Sequence, residues 1–116
     1  MGLDNGIIIK NKNDTKKEEI CYWRKCWNIR RLIFDCITPD NKEEWCSEFR
    51  LSLNDLMDIY YALKSLNKEN WNDNGGSIWE WEEIKKGLKN DIKEINKLIK
   101  RMKRQPNLEI IFYDSY

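Results

Sequence analysis

The chain has 116 residues, of which 21 are basic and 20 acidic, giving a formal charge of +1, with six Trp and no His. A single domain over residues 1–116 is expected, large enough to bury about two-thirds of its unfolded surface. The near-zero charge argues against general attraction to a nucleic-acid polymer or a membrane surface, and without imidazole the chain is poor in groups that move protons near neutral pH.

Met1-Gly2 is followed by Gly6 where myristoylation wants Ser or Thr, so that modification is not expected. The apolar run from Ile7 to Ile9 is too short for a secretory signal, and its β-branched residues between Gly6 and Lys10 predict a short strand. No stretch approaches the roughly 20 apolar residues that a membrane span needs. Thr15 with Glu18 has the spacing of a capping box, and a first helix is expected from Cys21. Within it Tyr22, Cys26, Ile29, Ile33 and Cys36 recur at helical steps and define a buried stripe. Trp23, Trp27, Arg30 and Phe34 form the next row, with Arg24, Asn28, Arg31 and Asp35 beside it, so indoles and guanidiniums are expected to face one space. Thr38-Pro39-Asp40-Asn41 ends this helix.

Cys46 to Leu51 reads as a strand, and Ser52 with Asp55, or Asn54 itself, caps a second helix whose Leu53, Leu56, Met57, Tyr60 and Leu63 face the core. Asn67 to Gly76 is rich in Asn, Asp and Gly and reads as a loop carrying one indole, Trp71. Ser77 and Glu80 form another capping box, opening a helix with Trp81, Ile84, Leu88, Ile92, Ile95, Leu98, Ile99 and Met102 on one stripe. At about 40 Å this helix is longer than one small core covers, which points to a partner chain over the rest. Gly87 inside it costs about 1 kcal/mol relative to Ala and suggests a close approach or a bend. Leu108 to Tyr113 supplies a final strand. The fold class is therefore α+β, a small antiparallel or mixed sheet of about three short strands packed with three helices, the last one long.

Cys21, Cys26, Cys36 and Cys46 include neither a Cys-x-x-Cys pair nor a His partner, so they read as free thiols in a reducing cytoplasm rather than as a metal site. Catalysis is not expected. Nucleophilic triads of the usual kind need His, no carboxylates are spaced as an obvious pair, and Gly75-Gly76 is followed by Ser77-Ile78 rather than the Lys-Ser or Lys-Thr of a phosphate loop. What the chain does have is ring faces beside cations. Trp23, Trp27 and Trp71 are candidates to stack on a base, and Arg24 and Arg31 to take phosphate oxygens. The plain alternative has Trp23 and Trp27 in the core and the arginines in water. Tyr113 is a further candidate contact, open equally to a partner or its own sheet, and Trp79 and Trp81 suit a subunit interface. No cofactor is called for.

Met1-Gly2-Leu3-Asp4, Tyr22-Trp23-Arg24-Lys25, Phe49-Arg50-Leu51-Ser52 and Phe112-Tyr113-Asp114-Ser115-Tyr116 are spread over almost the whole chain, and together the sequence resembles small phage and prophage proteins. Each run is short, and only Tyr-Trp-Arg-Lys is distinctive. Among such proteins the chain is most similar to the first type of Thoeris anti-defence phage proteins. That resemblance implies a homo-oligomer in the cytoplasm of the bacterial host that holds glycocyclic ADP-ribose, a signal made by TIR-domain proteins, without cleaving it, and that also accommodates cyclic oligonucleotides. The rival reading is a protein inhibitor docking on a host defence effector, as anti-CRISPR proteins do, through exposed Trp and the acidic stretch from Asp40 to Asp58.

Overall fold

The computed structural model describes residues 4–10, 17–24, 26–37, 47–73 and 80–115. In chain order these form β1 (Asp4–Lys10), β2 (Lys17–Arg24), α1 (Trp27–Cys36), β3 (Ser47–Arg50), α2 (Leu53–Lys64), α3 (Lys68–Asp73), α4 (Trp81–Arg104) and β4 (Glu109–Ser115). The fold is α+β. Its sheet is antiparallel throughout, in the order β2-β1-β4-β3, so the first and last of these strands pair at its centre. Four strands stand where about three were expected, because the segment read as the first turns of a helix is β2.

The misreading has a physical cause. Tyr22, Cys26, Ile29 and Ile33 do follow helical steps, but Cys21 to Arg24 also alternate strictly, with Cys21 and Trp23 buried and Tyr22 and Arg24 exposed. Pairing with β1 decides in favour of the strand, where β-branched and aromatic side chains pack well. The Thr15 cap lies outside the described residues. Helix α1 starts at Trp27, buries Asn28, Ile29 and Ile33, and ends at Cys36, before Pro39 as expected.

One face of the sheet carries Ile7, Ile9, Cys21, Trp23, Phe49, Ile110 and Phe112 into a core completed by α1, α2 and α4. Phe34 of α1 meets Phe49 and Phe112 edge-on at 5.3 and 5.8 Å, locking α1 to the sheet. Ser52 and Asp55 exchange the two hydrogen bonds of a capping box at the start of α2, as its sequence predicts. Ile59, omitted from the expected core face of that helix, is fully buried.

Helix α4 is capped by Glu80 with Glu83 and ends in Arg101, Lys103 and Arg104, where cations suit the negative end of the helix dipole. Its 24 residues extend about 36 Å. The stripe from Trp81 to Met102 packs on α2 and on β2 of the same chain, so helix length alone does not call for a second copy. Nothing approaches within 4 Å of a Cβ placed on Gly87, so neither a close contact nor packing accounts for that glycine. Gly87→Ala should therefore stabilise the fold by about 0.5–1 kcal/mol, read as a rise of about 3 °C in melting temperature. No helix of the described residues is long and apolar enough to cross a membrane.

Candidate ligand-binding surface

The second face of the sheet is built by the strand alternation that sends Ile7 and Ile9 inward. Cross-strand register aligns Tyr22, Gly6, Tyr113 and Glu48 in one row over all four strands, with Arg24, Asp4 and Ser115 in a row at one end. Ile8 and Ile111 lie at the centre of this face and are both buried. The Lys10–Glu48 ion pair, 2.8 Å, crosses diagonally over Ile111, and the Tyr113 hydroxyl donates to Glu19 at 3.2 Å across Gly6 and Ile8. Tyr22 donates to Asp4 at 2.7 Å. Burial, then the negative charge of Glu19, raises the Tyr113 phenol above its ordinary value, while for Tyr22 the hydrogen bond to Asp4 is the main cause of a rise. A groove of about 470 Å³ runs over this face, lined by Ile8, Lys17, Glu19, Glu48 and Tyr113.

At the Arg24 end of the sheet α1 begins. Arg30 on its first turn donates through Nε and Nη2 to both carboxylate oxygens of Asp114 at 2.9–3.0 Å. The Asp114 side chain is fully buried and that of Arg30 is 19% exposed. The same guanidinium lies 4.6 Å from the centre of the Phe34 ring and 5.6 Å from that of Trp27. Trp27 itself is 38% exposed. Arg31 follows it by one helical turn and is also exposed, as is Arg24 three residues before it. A part-exposed indole, beside a cation that a buried carboxylate fixes, thus shares a helix face with the Arg31 guanidinium one turn on.

The six residues singled out in the sequence separate into three groups. Trp27 and Arg31 share a face of α1, Arg24 and Tyr113 lie on the second face of the sheet, and Trp23 and Trp71 are buried. Trp23 is buried, its Nε1–H donating to Asp91 Oδ2 of α4 at 2.9 Å. Trp71 belongs to the short helix α3 rather than a loop and is 2% exposed, its backbone carbonyl accepting from Asn28 Nδ2 at 2.6 Å. Neither buried ring has a face open to a ligand. The expectation that Trp23 and Arg24 share a helix face with Trp27 and Arg31 is corrected, since consecutive strand residues point to opposite sides of the sheet. Tyr22, placed on the buried stripe of a helix, instead faces outward from β2, and Arg30, expected beside Trp27, is held by buried Asp114, which the sequence did not single out. The alternation in Cys21-Tyr22-Trp23-Arg24 carried the signal for Tyr22, but no local pattern announces the Arg30–Asp114 pair, 84 residues apart.

The polar groups beneath the site set its pH response. Burial raises Asp91 from 3.8 to about 6, against the hydrogen bonds from Trp23 and Cys21 that favour the ionised form. A carboxyl whose pKa is higher folded than unfolded gives its full stabilising contribution below about pH 4, and that contribution is lost as the pH rises through 6. Glu48 and Glu82, whose values are lowered by Lys10 and Lys85, act in the opposite direction and below the ordinary Glu range. With no His in the chain, the interval between pH 5 and 7 isolates Asp91. Asp91→Asn, whose amide oxygen still accepts from Trp23, should melt higher than wild type at pH 7.5 by the equivalent of about 1–2 kcal/mol after allowance for partial exposure. Thermal melts across pH 4–8 should show that advantage vanish near pH 4.

Asn5, paired with Trp23 and Asp114 on the inner face, is fully buried, and both polar atoms of its side chain lack a hydrogen-bond partner among the described residues. Cys21 and Cys36 have thiols raised by burial, which disfavours the thiolate, and Cys26 is buried and in no disulfide; Cys46 lies outside the described residues. Among the described residues no group of three His, Cys, Asp or Glu side chains is placed to hold a metal ion. Compared with known proteins, the chain matches no family model, and no curated protein or solved structure matches it significantly.

Proposed function

We propose that this protein binds a nucleotide-derived signal and holds it chemically unchanged, as the resemblance to the Thoeris anti-defence phage proteins implies for glycocyclic ADP-ribose in the cytoplasm of an infected bacterium. The observation that supports the reading best is Trp27, 38% exposed at the start of α1, with exposed Arg31 one helical turn on along the same face and exposed Arg24 at the end of β2. The indole offers a stacking surface for a base, and the two guanidiniums offer forked donors for phosphate oxygens. The described chemistry suits retention. The chain has no imidazole, and burial raises the Cys21 and Cys36 thiols rather than activating them.

Capture at nanomolar concentration needs about 12 kcal/mol, whereas one stacked base supplies about 1–3 kcal/mol. A single corner falls short, so two copies facing the same ligand are the natural arrangement, and the protein is proposed to be a homo-oligomer on this ground. Calorimetry with glycocyclic ADP-ribose and with cyclic trinucleotides tests the reading. Heat is expected with wild type, and Trp27→Ala and Arg31→Glu should each weaken binding about tenfold or more. Heating the complex should return intact ligand. No heat at micromolar protein, or a degraded product, overturns it.

One observation favours the rival. Tyr61, 61% exposed, follows Asn54 and Asp58 along an exposed line on α2, a surface suited to a protein partner. Recovery of a stoichiometric host protein from lysate, lost in Tyr61→Ala, would favour docking on an effector.

A further inference from the structure

A second cleft lies away from the Trp27 corner. It runs between the end of α2 and the first three turns of α4, has a volume of about 500 Å³, and shares no lining residue with the corner or with the second face of the sheet. Leu63, Leu66, Trp81, Leu88 and Ile92 make its apolar lining. Lys64, Lys85, Lys86 and Lys89 complete it, and no carboxylate lines it among the described residues.

Each feature follows from the helices. Trp81, Lys85, Leu88 and Ile92 succeed one another on one stripe of α4, with Lys86 and Lys89 on the adjacent row, so ammonium groups border apolar side chains along the whole cleft. The Trp81 ring stands 6.0 Å from the buried Trp71 ring at 52°, so the indole that the sequence offered as a ligand contact serves as a backing for its neighbour. Lys85 pairs with Glu82 at 2.6 Å and the Lys64 ammonium lies over Tyr60 at 5.2 Å. Lys86 and Lys89 are exposed and have no ion-pair partner among the described residues.

Lysine stems commonly cover apolar surface while their charges reach water. Here they leave a space within the usual 300–1,000 Å³ of a small-molecule site, which marks more than stem packing. A neutral apolar guest would leave the cluster of like charges uncompensated, and a polar anion would gain nothing from the leucines and the indole. We infer that this cleft binds an aromatic anion, its ring against Trp81 and the leucines and its phosphate, sulfonate or carboxylate among Lys64, Lys86 and Lys89.

The test uses the full chain with two probes, anilinonaphthalene sulfonate and ADP, and two controls, adenosine and decanoate. Both probes should bind at one site per chain, at least tenfold tighter than either control, and salt should weaken them. Lys86→Glu with Lys89→Glu, both on the surface, should reduce binding tenfold or more while leaving the melting temperature within a degree or two. Trp81→Phe should keep part of the affinity. Trp27→Ala with Arg31→Glu should leave the anilinonaphthalene sulfonate affinity unchanged. Equal binding by the double Lys variant, loss only in the Trp27 and Arg31 variant, decanoate binding as tight as the aromatic anions, or no binding of either probe would each overturn the inference. Glycocyclic ADP-ribose titrated into the double Lys variant reports on the Trp27 corner separately, so the two proposals fail independently.

Discussion

Arg30→Met should cost about 3–5 kcal/mol, enough to remove a large part of the stability of a domain this size. Asp114 has no exposed side-chain surface, and its two oxygens take three hydrogen bonds from the one guanidinium. With Met in place of Arg, that carboxylate would stay in the interior without its cation, which is far costlier than losing a pair at the surface. The guanidinium also lies beside the rings of Phe34 and Trp27, so the Met thioether would replace two cation–ring contacts with weaker ones. Urea unfolding should show the midpoint collapse. Arg30→Met combined with Asp114→Asn should regain a substantial share, because the amide carries no charge to strand. If Arg30→Met alone unfolds at the wild-type midpoint, Asp114 does not depend on Arg30. The same pair of measurements bears on binding, since Trp27 in the double variant would keep its fold but lose the cation behind its ring.

Gly6→Ala should be nearly as severe, at about 3 kcal/mol. A methyl group there would overlap the Cys21 backbone carbonyl and meet the Tyr113 ring and hydroxyl at 3.0 and 2.9 Å. The tyrosine can swing aside, at the loss of its hydrogen bond to Glu19, but the carbonyl belongs to the strand paired with Gly6 on the other side. It also sits at the irregularity in the β1–β2 register between Ile7 and Ile8, where β2 carries an extra residue. Relief would require β2 to move away from β1. Overpacking against backbone lies at the upper end of the usual 1–3 kcal/mol. Tyr113→Phe separates the contributions, since it keeps the ring over Gly6 and removes only the hydroxyl. It should cost well under half as much in the same urea experiment. Parity between Gly6→Ala and wild type would show that the two strands have room to separate.

Elements with a local cause were legible in the sequence. Ser52 with Asp55 announced α2, the stripe from Trp81 to Met102 announced α4, and Ile7 to Ile9 with the final apolar run announced the two central strands. The boundary between β2 and α1 was not legible, because the same residues satisfy two periods and a distant strand chooses between them. The site was legible as chemistry more than as geometry. Trp27 and Arg31 share a face of α1 while Arg24 lies on β2, and an indole's burial depends on what packs against it. Asp91 of α4 accepts the N–H of Trp23 on β2, and Trp71 has Trp81 over it and Asn28 on its carbonyl. Such partners are far away in sequence, and composition does not name them. Trp81 suited an interface in the sequence, and its place beside four lysines in a cleft appeared only when α2 came against α4.

The central pairing of β1 with β4 also sets when this protein is able to mature. Ile7 and Phe112 face each other across about a hundred residues of intervening chain. During synthesis the β1–β2 hairpin and the helices can take shape as they emerge, but the middle of the sheet stays open until the ribosome has released β4. Asp114 arrives with that strand, so the arginine beside the Trp27 ring gains its anchor only after β4 has been made. Closing so long a loop makes assembly slower than in a helical bundle of similar size. The Trp27 corner is thus not fully supported in any chain that stops short of β4.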